Sequence, residues 1–415
     1  MGFGSRLLGV SFFASCVSCA FAVEQSDANG VVEGGKLDVL LRNTYWNRDY
    51  NRGVYDRNTW AQGVIGHYES GFTKGLVGVG LDAFGLLGVR LDGGQPDMFP
   101  GERKHWADDT SQFGVAVKLN ISKTTLSLGD QMPALPVLNY GDSRLLPQSF
   151  SGVLLTSREV DRLEVNAGRF TAESSMQSGA RDSARLKSIN VLGASYQASD
   201  SLSGAVYISD VEDVYKKSYV NVNYTLHLSA QDALNFDLNW YSTKYANDTV
   251  SDRFFAQGIQ GDSNNIWSLA TKYMHNGHTF SLSYEQSSGD VGYAYDLGDG
   301  GSTIYLANGY YADFSQKDEK SIQAYHEWDF AADGVPGLTW RIAYIYGYDI
   351  DAGAGGEARE SEFFNQVKYT IQSGAAKDLS FKARNSVYRN TRNDSGYSVE
   401  LNEWRLYVEY PISIF

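Results

Sequence analysis

Cysteine is almost missing from this 415-residue chain: its two, Cys16 and Cys19, both fall within the first 22 residues. That stretch reads as a signal peptide, with Arg6 as the charged start, Leu7 to Ala14 as the apolar core and Ala20-Phe21-Ala22 as an A-x-A cleavage site. Cys16 also admits a lipoprotein reading, although Phe13-Ala14-Ser15 lacks the usual leucine. Residues 23–415 then carry no thiol, so no disulfide holds the exported chain together. Long apolar runs are missing too: beyond residue 22 no uninterrupted run reaches about 18 apolar residues, which argues against membrane-spanning helices. Basic charge is short. Loss of the leader removes Arg6 alone and leaves 34 Lys and Arg against 49 Asp and Glu, a net of −15, which speaks against a nucleic-acid partner. Proline is scarce, at seven residues, and three of these sit in one place.

What the chain does have is aromatic and alternating. It holds 28 Tyr, 20 Phe and 8 Trp at a mean hydropathy of −0.34, as expected of strands whose apolar residues are diluted one-to-one by polar ones. Gln112 to Ile121 shows the pattern most cleanly: Phe113, Val115, Val117, Leu119 and Ile121 share one parity, and Gly114, Ala116, Lys118 and Asn120 the other. Asp378 to Tyr388 and Glu400 to Tyr410 repeat it, with Lys382, Arg384 and Arg405 opposite their apolar sets. Along the chain the alternation predicts 18 strands joined by nine long loops and eight short turns in strict alternation, with no second domain or linker. That is the pattern of an all-β transmembrane antiparallel barrel, with long extracellular loops on one rim and short periplasmic turns on the other. Closing the sheet gives every backbone N–H and C=O a partner inside hydrocarbon. At 18 strands the expected interior is an aqueous pore.

If the apolar parity faces lipid, Arg42, Lys118, Arg341, Lys368, Lys382, Arg384 and Arg405 point into the lumen. Six of them come from the first strand and the last four, which meet on closure. Such a wall would attract anions, and Arg suits a carboxylate through its planar fork. The alternative is that these cations pair with lumen acids such as Glu403 and Glu362 and only brace the barrel. The gap Gln131 to Phe150 contains Pro133, Pro136 and Pro147, so it is expected to be stiff and shaped. Folded inward, this loop (131–150) would narrow the pore and bring Asp142 and Arg144 to the constriction. The longest gap, with Asp290, Asp296, Asp299 and Asp313, is a candidate second lip; both loops could instead cap the outside.

These residues resemble the OprD family of substrate-specific outer-membrane porins along nearly the whole mature chain. The resemblance rests on Leu40-Leu41-Arg42-Asn43, on Met132-Pro133-Ala134-Leu135-Pro136-Val137-Leu138, on Arg144-Leu145-Leu146-Pro147-Gln148-Ser149-Phe150, and on the ending Tyr410-Pro411-Ile412-Ser413-Ile414-Phe415. It implies a monomeric 18-stranded barrel in the bacterial outer membrane, in contact with its lipid and lipopolysaccharide. It also implies a proline-rich third loop inside the lumen and a basic ladder leading small carboxylates, aromatic acids or amino acids, to the constriction. Phe415 looks like the assembly signal of such barrels, with Ser413 a poor fit to it. The rival is an outer-membrane barrel enzyme of protease or lipase type. Against that rival, the six histidines sit without a nucleophile motif and no HExxH occurs, so no catalytic residue, metal or cofactor is expected. Arg169 falls on the apolar parity of its run, which leaves the register of that strand open.

Overall fold

The computed structural model describes residues 30–51, 55–94, 98–102, 105–247, 261–294, 305–392 and 399–415. The leader 1–22, Asp296 and Asp299 lie outside these residues. Eighteen strands form one sheet: β1 (Lys36–Tyr50), β2 (Arg57–Glu69), β3 (Gly78–Asp92), β4 (Asp109–Ile121), β5 (Thr124–Gln131) and β6 (Ser149–Ser157). There follow β7 (Leu163–Ser174), β8 (Ile189–Gln197), β9 (Leu202–Val211), β10 (Tyr215–His227), β11 (Asp232–Tyr245) and β12 (Ser263–His275). The last six are β13 (His278–Gly289), β14 (Lys320–Asp329), β15 (Leu338–Asp351), β16 (Glu357–Thr370), β17 (Ser380–Asn390) and β18 (Leu401–Ser413). Each pairs antiparallel with its sequence neighbours, and β1 closes on β18 from Asp38 opposite Ser413 to Tyr50 opposite Leu401. The barrel therefore has no unpaired edge.

Alternation decides which side chains meet lipid. On the outer face Phe113 is 71% exposed, Leu282 62% and Val206 58%, whereas the inward Tyr241 and Ile266 are fully covered. Loops and turns sort by rim as expected, but not strictly by length. The long-loop rim includes the connection 212–214, only three residues long, while the turns 70–77 and 371–379 on the other rim are longer. β9 and β10 pair up to Val211 opposite Tyr215, level with the end of the β10–β11 ladder at Tyr215 opposite Tyr245, so only three residues connect them.

β6 reaches β7 through a bulge between Ser151 and Gly152. At Gly152 a Cβ would lie 2.3 Å from the Arg169 carbonyl oxygen, so only glycine permits this approach. The register is sound, and Arg169 does sit on the outer face, where its guanidinium donates to Asn190 Oδ1 at 2.9 Å.

The interior departs from a uniformly polar tube. Inward side chains of β6 to β12, among them Phe170, Tyr207, Tyr219, Tyr241 and Ile266, pack with Leu135, Val137 and Leu138 of the connection 132–148 and with Tyr293. Aromatic rings on the inward parity would otherwise stand in water, and each such burial stabilises by about 1.5–3 kcal/mol. That part of the lumen is therefore filled, and a second apolar cluster covers the inner face of β1 to β3, where Trp46, Ala61, Ile65, Phe84 and Leu86 pack with Leu145 and Leu146.

Leu282→Arg, on the outer face between Phe280 and Tyr284, is expected to destabilise the barrel by about 2–4 kcal/mol. Urea-dependent refolding into phospholipid vesicles measures this directly, and an unchanged midpoint would contradict the outward assignment.

Candidate functional site

Two-residue steps along a strand place same-face side chains about 7 Å apart, so the cations of β1, β17 and β18 form a descending series. Register sets the levels. Arg48 lies opposite Glu403, Trp46 opposite Arg405, and Arg42 opposite Glu409 across the β1–β18 seam. Arg384 lies opposite Arg405, and Lys368 opposite Lys382.

At the upper level one buried carboxylate serves two guanidiniums. Glu403 accepts from Arg48 Nε at 2.6 Å and from Arg405 Nε and Nη2 at 2.6 and 3.0 Å. The indole of Trp46 lies between the two, 5.3 Å from the Arg48 guanidinium carbon and 3.8 Å from that of Arg405. Arg48 shares the inward parity of Arg42, Thr44 and Trp46. Parity alone would have found it, yet the sequence reading left it out of the basic series.

Below, Arg384 forms no ion pair among the described residues. Its Nη2 donates to the Tyr310 carbonyl at 3.1 Å, its face lies 5.1 Å from the Phe364 ring, and its buried Nε has no partner. Lys382 lies over Tyr407 at 4.1 Å and is 3.6 Å from Glu409. The Lys368 ammonium makes neither ion pair nor hydrogen bond among the described residues. Arg341, further round the wall, is paired with Glu327 at 2.5 Å and lies over Tyr325.

Arg42 is the most heavily engaged cation. It binds both oxygens of Asp142 at 2.7 and 3.0 Å, Glu409 at 2.8 Å, and the carbonyls of Arg144 and Leu145 at 3.1 and 3.2 Å. It thus fastens the connection 132–148 to the seam instead of offering a free charge. Arg144 contributes through that carbonyl, and its own side chain is buried. Pro133 and Pro136 shape the same segment: the Pro133 carbonyl accepts from Tyr140 N at 2.9 Å, and the Pro136 carbonyl from the Tyr241 hydroxyl at 3.0 Å. The Arg405 guanidinium reaches the Ser143 carbonyl at 3.4 Å, so this segment borders the wall.

Lys118 stands apart from this wall. It lies near the short-turn rim, 2.6 Å from Asp82 and 3.6 Å from Glu69, with its side chain 4% exposed. Asp290 belongs to the rim of β12 and β13. There it accepts from Ser263 Oγ at 2.6 Å, and that bond holds its carboxyl below the usual range. The segment 305–312 meets the proline-bearing loop at Tyr241, whose hydroxyl accepts from Tyr305 N at 3.3 Å and donates to the Pro136 carbonyl. Tyr310 stacks on Phe364 at 3.8 Å, and the buried Glu362 accepts from the amides of Tyr311 and Ala312. Glu362 therefore supports a loop, whereas Glu403 pairs with cations as the bracing alternative supposed.

Asp142→Asn should loosen the proline-bearing loop while leaving the wall cations in place. A charge-assisted hydrogen bond contributes about 1.5–3 kcal/mol, so amide exchange at residues 143–146 should quicken by about tenfold. Exchange as slow as in the wild type would show that Arg42 does not seat the loop.

Residues 29–414 match the family described as outer membrane porin, OprD family. Porin D of Pseudomonas aeruginosa is 40% identical over 436 aligned positions, covering 96% of this chain and 95% of that protein. The porin-like protein GalP of Pseudomonas putida is 32% identical, covering 94% and 95%. Among solved structures, OccAB1 of Acinetobacter baumannii superposes with a TM-score of 0.88 at 36% identity, covering 94% of this chain and all of that one. OpdK of Pseudomonas aeruginosa, solved with vanillate, superposes at 0.82 with 31% identity, covering 92% and 100%. With its closed 18-stranded ring, its inward cations and this likeness along almost its entire length, the chain belongs to the OprD family of outer-membrane porins.

Proposed function

We propose that this porin passes small carboxylate-bearing solutes by diffusion along the wall of β1 and β15 to β18, between the loop 132–148 and the segment 305–312. The observation that carries this reading is the incomplete satisfaction of Arg384 and Lys368. Arg48, Arg405, Arg42 and Arg341 each have a carboxylate partner, while Arg384 forms no ion pair and Lys368 forms none among the described residues, Glu409 acting on it only at longer range. A guanidinium or ammonium without a close carboxylate partner is a charge not already spent, and a passing carboxylate can take that place for as long as it stays. Lys382 and Lys368, opposite one another one level below, offer the next site, so the anion moves between weak stations instead of being trapped. The paired arginines set the field and the shape of the passage. The vanillate bound by OpdK is an aromatic carboxylate, consistent with this class of solute. Asp142, Arg144, Pro133 and Pro136 act here by holding the constriction loop in place.

Single-channel recording in planar bilayers tests the proposal. In Arg384→Ala, block by benzoate or by an amino acid should weaken by about tenfold, because a charge-assisted hydrogen bond is lost. The porin should still migrate as a folded, heat-modifiable barrel. Arg384→Lys should recover part of the block, since charge is kept and the planar fork is not. Full carboxylate block in Arg384→Ala and in a Lys368→Gln variant would refute the assignment. A second outcome, loss of block by a neutral solute of equal size as well, would mean that the substitution altered the bore and not the charge.

A further inference from the structure

Two histidines stand on the lipid parity, where transport has no use for them. The turns at the short-turn rim fix where their strands begin and end. Asn276 and Gly277, both at positive φ, turn β12 into β13, and the Asp329 amide at the end of β14 donates to the Gly277 carbonyl at 2.8 Å. Register then puts His278 opposite Trp328 and Phe280 opposite His326, all four on the outward parity that Leu282 and Ile322 continue. Trp340 of β15 extends the row beside Trp328. Such rings mark the level where hydrocarbon gives way to headgroups, and here two imidazoles replace the apolar residues that the pattern calls for.

The two imidazoles meet. His278 Nδ1 lies 3.0 Å from His326 Nε2, and neither ring makes another hydrogen bond or an ion pair among the described residues. Stacking holds both rings in place, His326 on Phe280 at 4.5 Å and His278 on Trp328 at 4.9 Å. Imidazole nitrogens at about 2.1 Å from one ion, spaced at the tetrahedral or right angles that zinc and copper adopt, stand about 3.0–3.4 Å apart. The observed separation falls at the lower end of that interval, so small rotations of the rings admit an ion. Ligation needs a lone pair on both nitrogens. The one N–H between them therefore passes through solvent to the other nitrogen of its own ring, and both imidazoles stay neutral. His275, opposite His278 across the turn, is instead engaged with Asp232 Oδ1 at 2.7 Å, and no group of three His, Cys, Asp or Glu side chains converges among the described residues. The remaining positions on the ion belong to water.

We propose that His278 and His326 form a binding site for a divalent transition-metal ion, zinc or copper(II), on the outer face of the barrel at its periplasmic rim. Imidazole selects such ions over magnesium and calcium, which prefer oxygen. A bound ion ties β13 to β14 beside their turns and adds a clamp to the ladder there. The two ligands lie 48 positions apart in the chain, so no short motif announces them. The inference is independent of which solute the pore carries.

Calorimetric titration of the untagged, chelator-washed porin with zinc chloride tests it. The wild type should bind one ion per chain, its thermal unfolding midpoint should rise, and chelator should reverse the shift. H278Q and H326Q should each weaken zinc by about tenfold or more. H227Q, which alters another histidine of the same rim, should bind zinc as the wild type does. Magnesium chloride at the same concentration should leave the midpoint where it was. Loaded with copper(II), the wild type should show electron paramagnetic resonance couplings to two imidazole nitrogens, and H326Q to no more than one. Wild-type conductance in both variants would show that barrel and pore are intact. If neither variant folds, zinc protection of His278 and His326 from acylation by diethyl pyrocarbonate in the wild type decides the matter. Undiminished zinc binding in both variants, equal loss in H227Q, an equal shift with magnesium, or acylation unslowed by zinc would overturn the proposal.

Discussion

Everything in this molecule follows from the requirement that no backbone amide or carbonyl remain unpaired in hydrocarbon. A disulfide-free exported chain with no long apolar run satisfies it only by closing a sheet on itself. The join between β1 and β18 unites the two terminal strands over thirteen consecutive residue pairs, Asp38 to Tyr50 against Ser413 to Leu401. Once the ring is shut, strand alternation leaves no freedom: each residue faces lipid or lumen, and a slip of one position would exchange the two sets. Leu282 and Lys382 lie on opposite surfaces for this reason and not because of any local preference.

The lumen is then divided between two materials. Tyrosines and branched residues on β7 to β12 are covered by Leu135, Val137 and Leu138, giving a small hydrophobic core inside a membrane barrel. A second cluster joins Trp46, Ile65, Phe84, Leu86 and Tyr407 to Leu145 and Leu146, and beside it guanidiniums and ammoniums line β1 and β15 to β18. Burying a cation is costly unless a carboxylate, a carbonyl or an aromatic face compensates, and the wall uses all three: Glu403, Ser143 and Tyr310 carbonyls, and the Trp46 and Tyr407 rings. The bore follows from the first material and the field from the second. Loop 132–148 belongs to both, with its apolar side on the core and Asp142 on Arg42.

Architecture was legible in the sequence because the period-two pattern is dictated by lipid on one face, and lipid tolerates no exceptions at mid-depth. Hence the strand count and the inward placement of Arg341, Lys368, Lys382, Arg384 and Arg405 could be read from parity. Two things could not. Tyr207, Tyr219 and Tyr241 lie on the lumen parity while also suiting a membrane-facing girdle, so nothing local shows that a distant loop will cover them. Whether a lumen cation is spent or available depends on partners far along the chain. Lys118 is neutralised by Asp82 and Glu69, and Arg42 by Asp142 and Glu409, a hundred and 367 residues away. Asp290 shows the same limit from the acidic side, since its partner is Ser263 at the rim and not a cation of the wall. Loop length misled for a further reason: β9 and β10 pair up to Val211 opposite Tyr215, leaving only 212–214 to connect them on the rim that elsewhere carries long loops.

Arg42 has one more implication, for the order of events in assembly. Its guanidinium draws together the first strand, the connection between the fifth and sixth, and the last strand through Glu409. These three pieces become neighbours only when the N- and C-terminal strands have met. The final seat of the constricting segment therefore exists only in the completed ring, and the width of the hole is fixed by the same event that seals it into the bilayer.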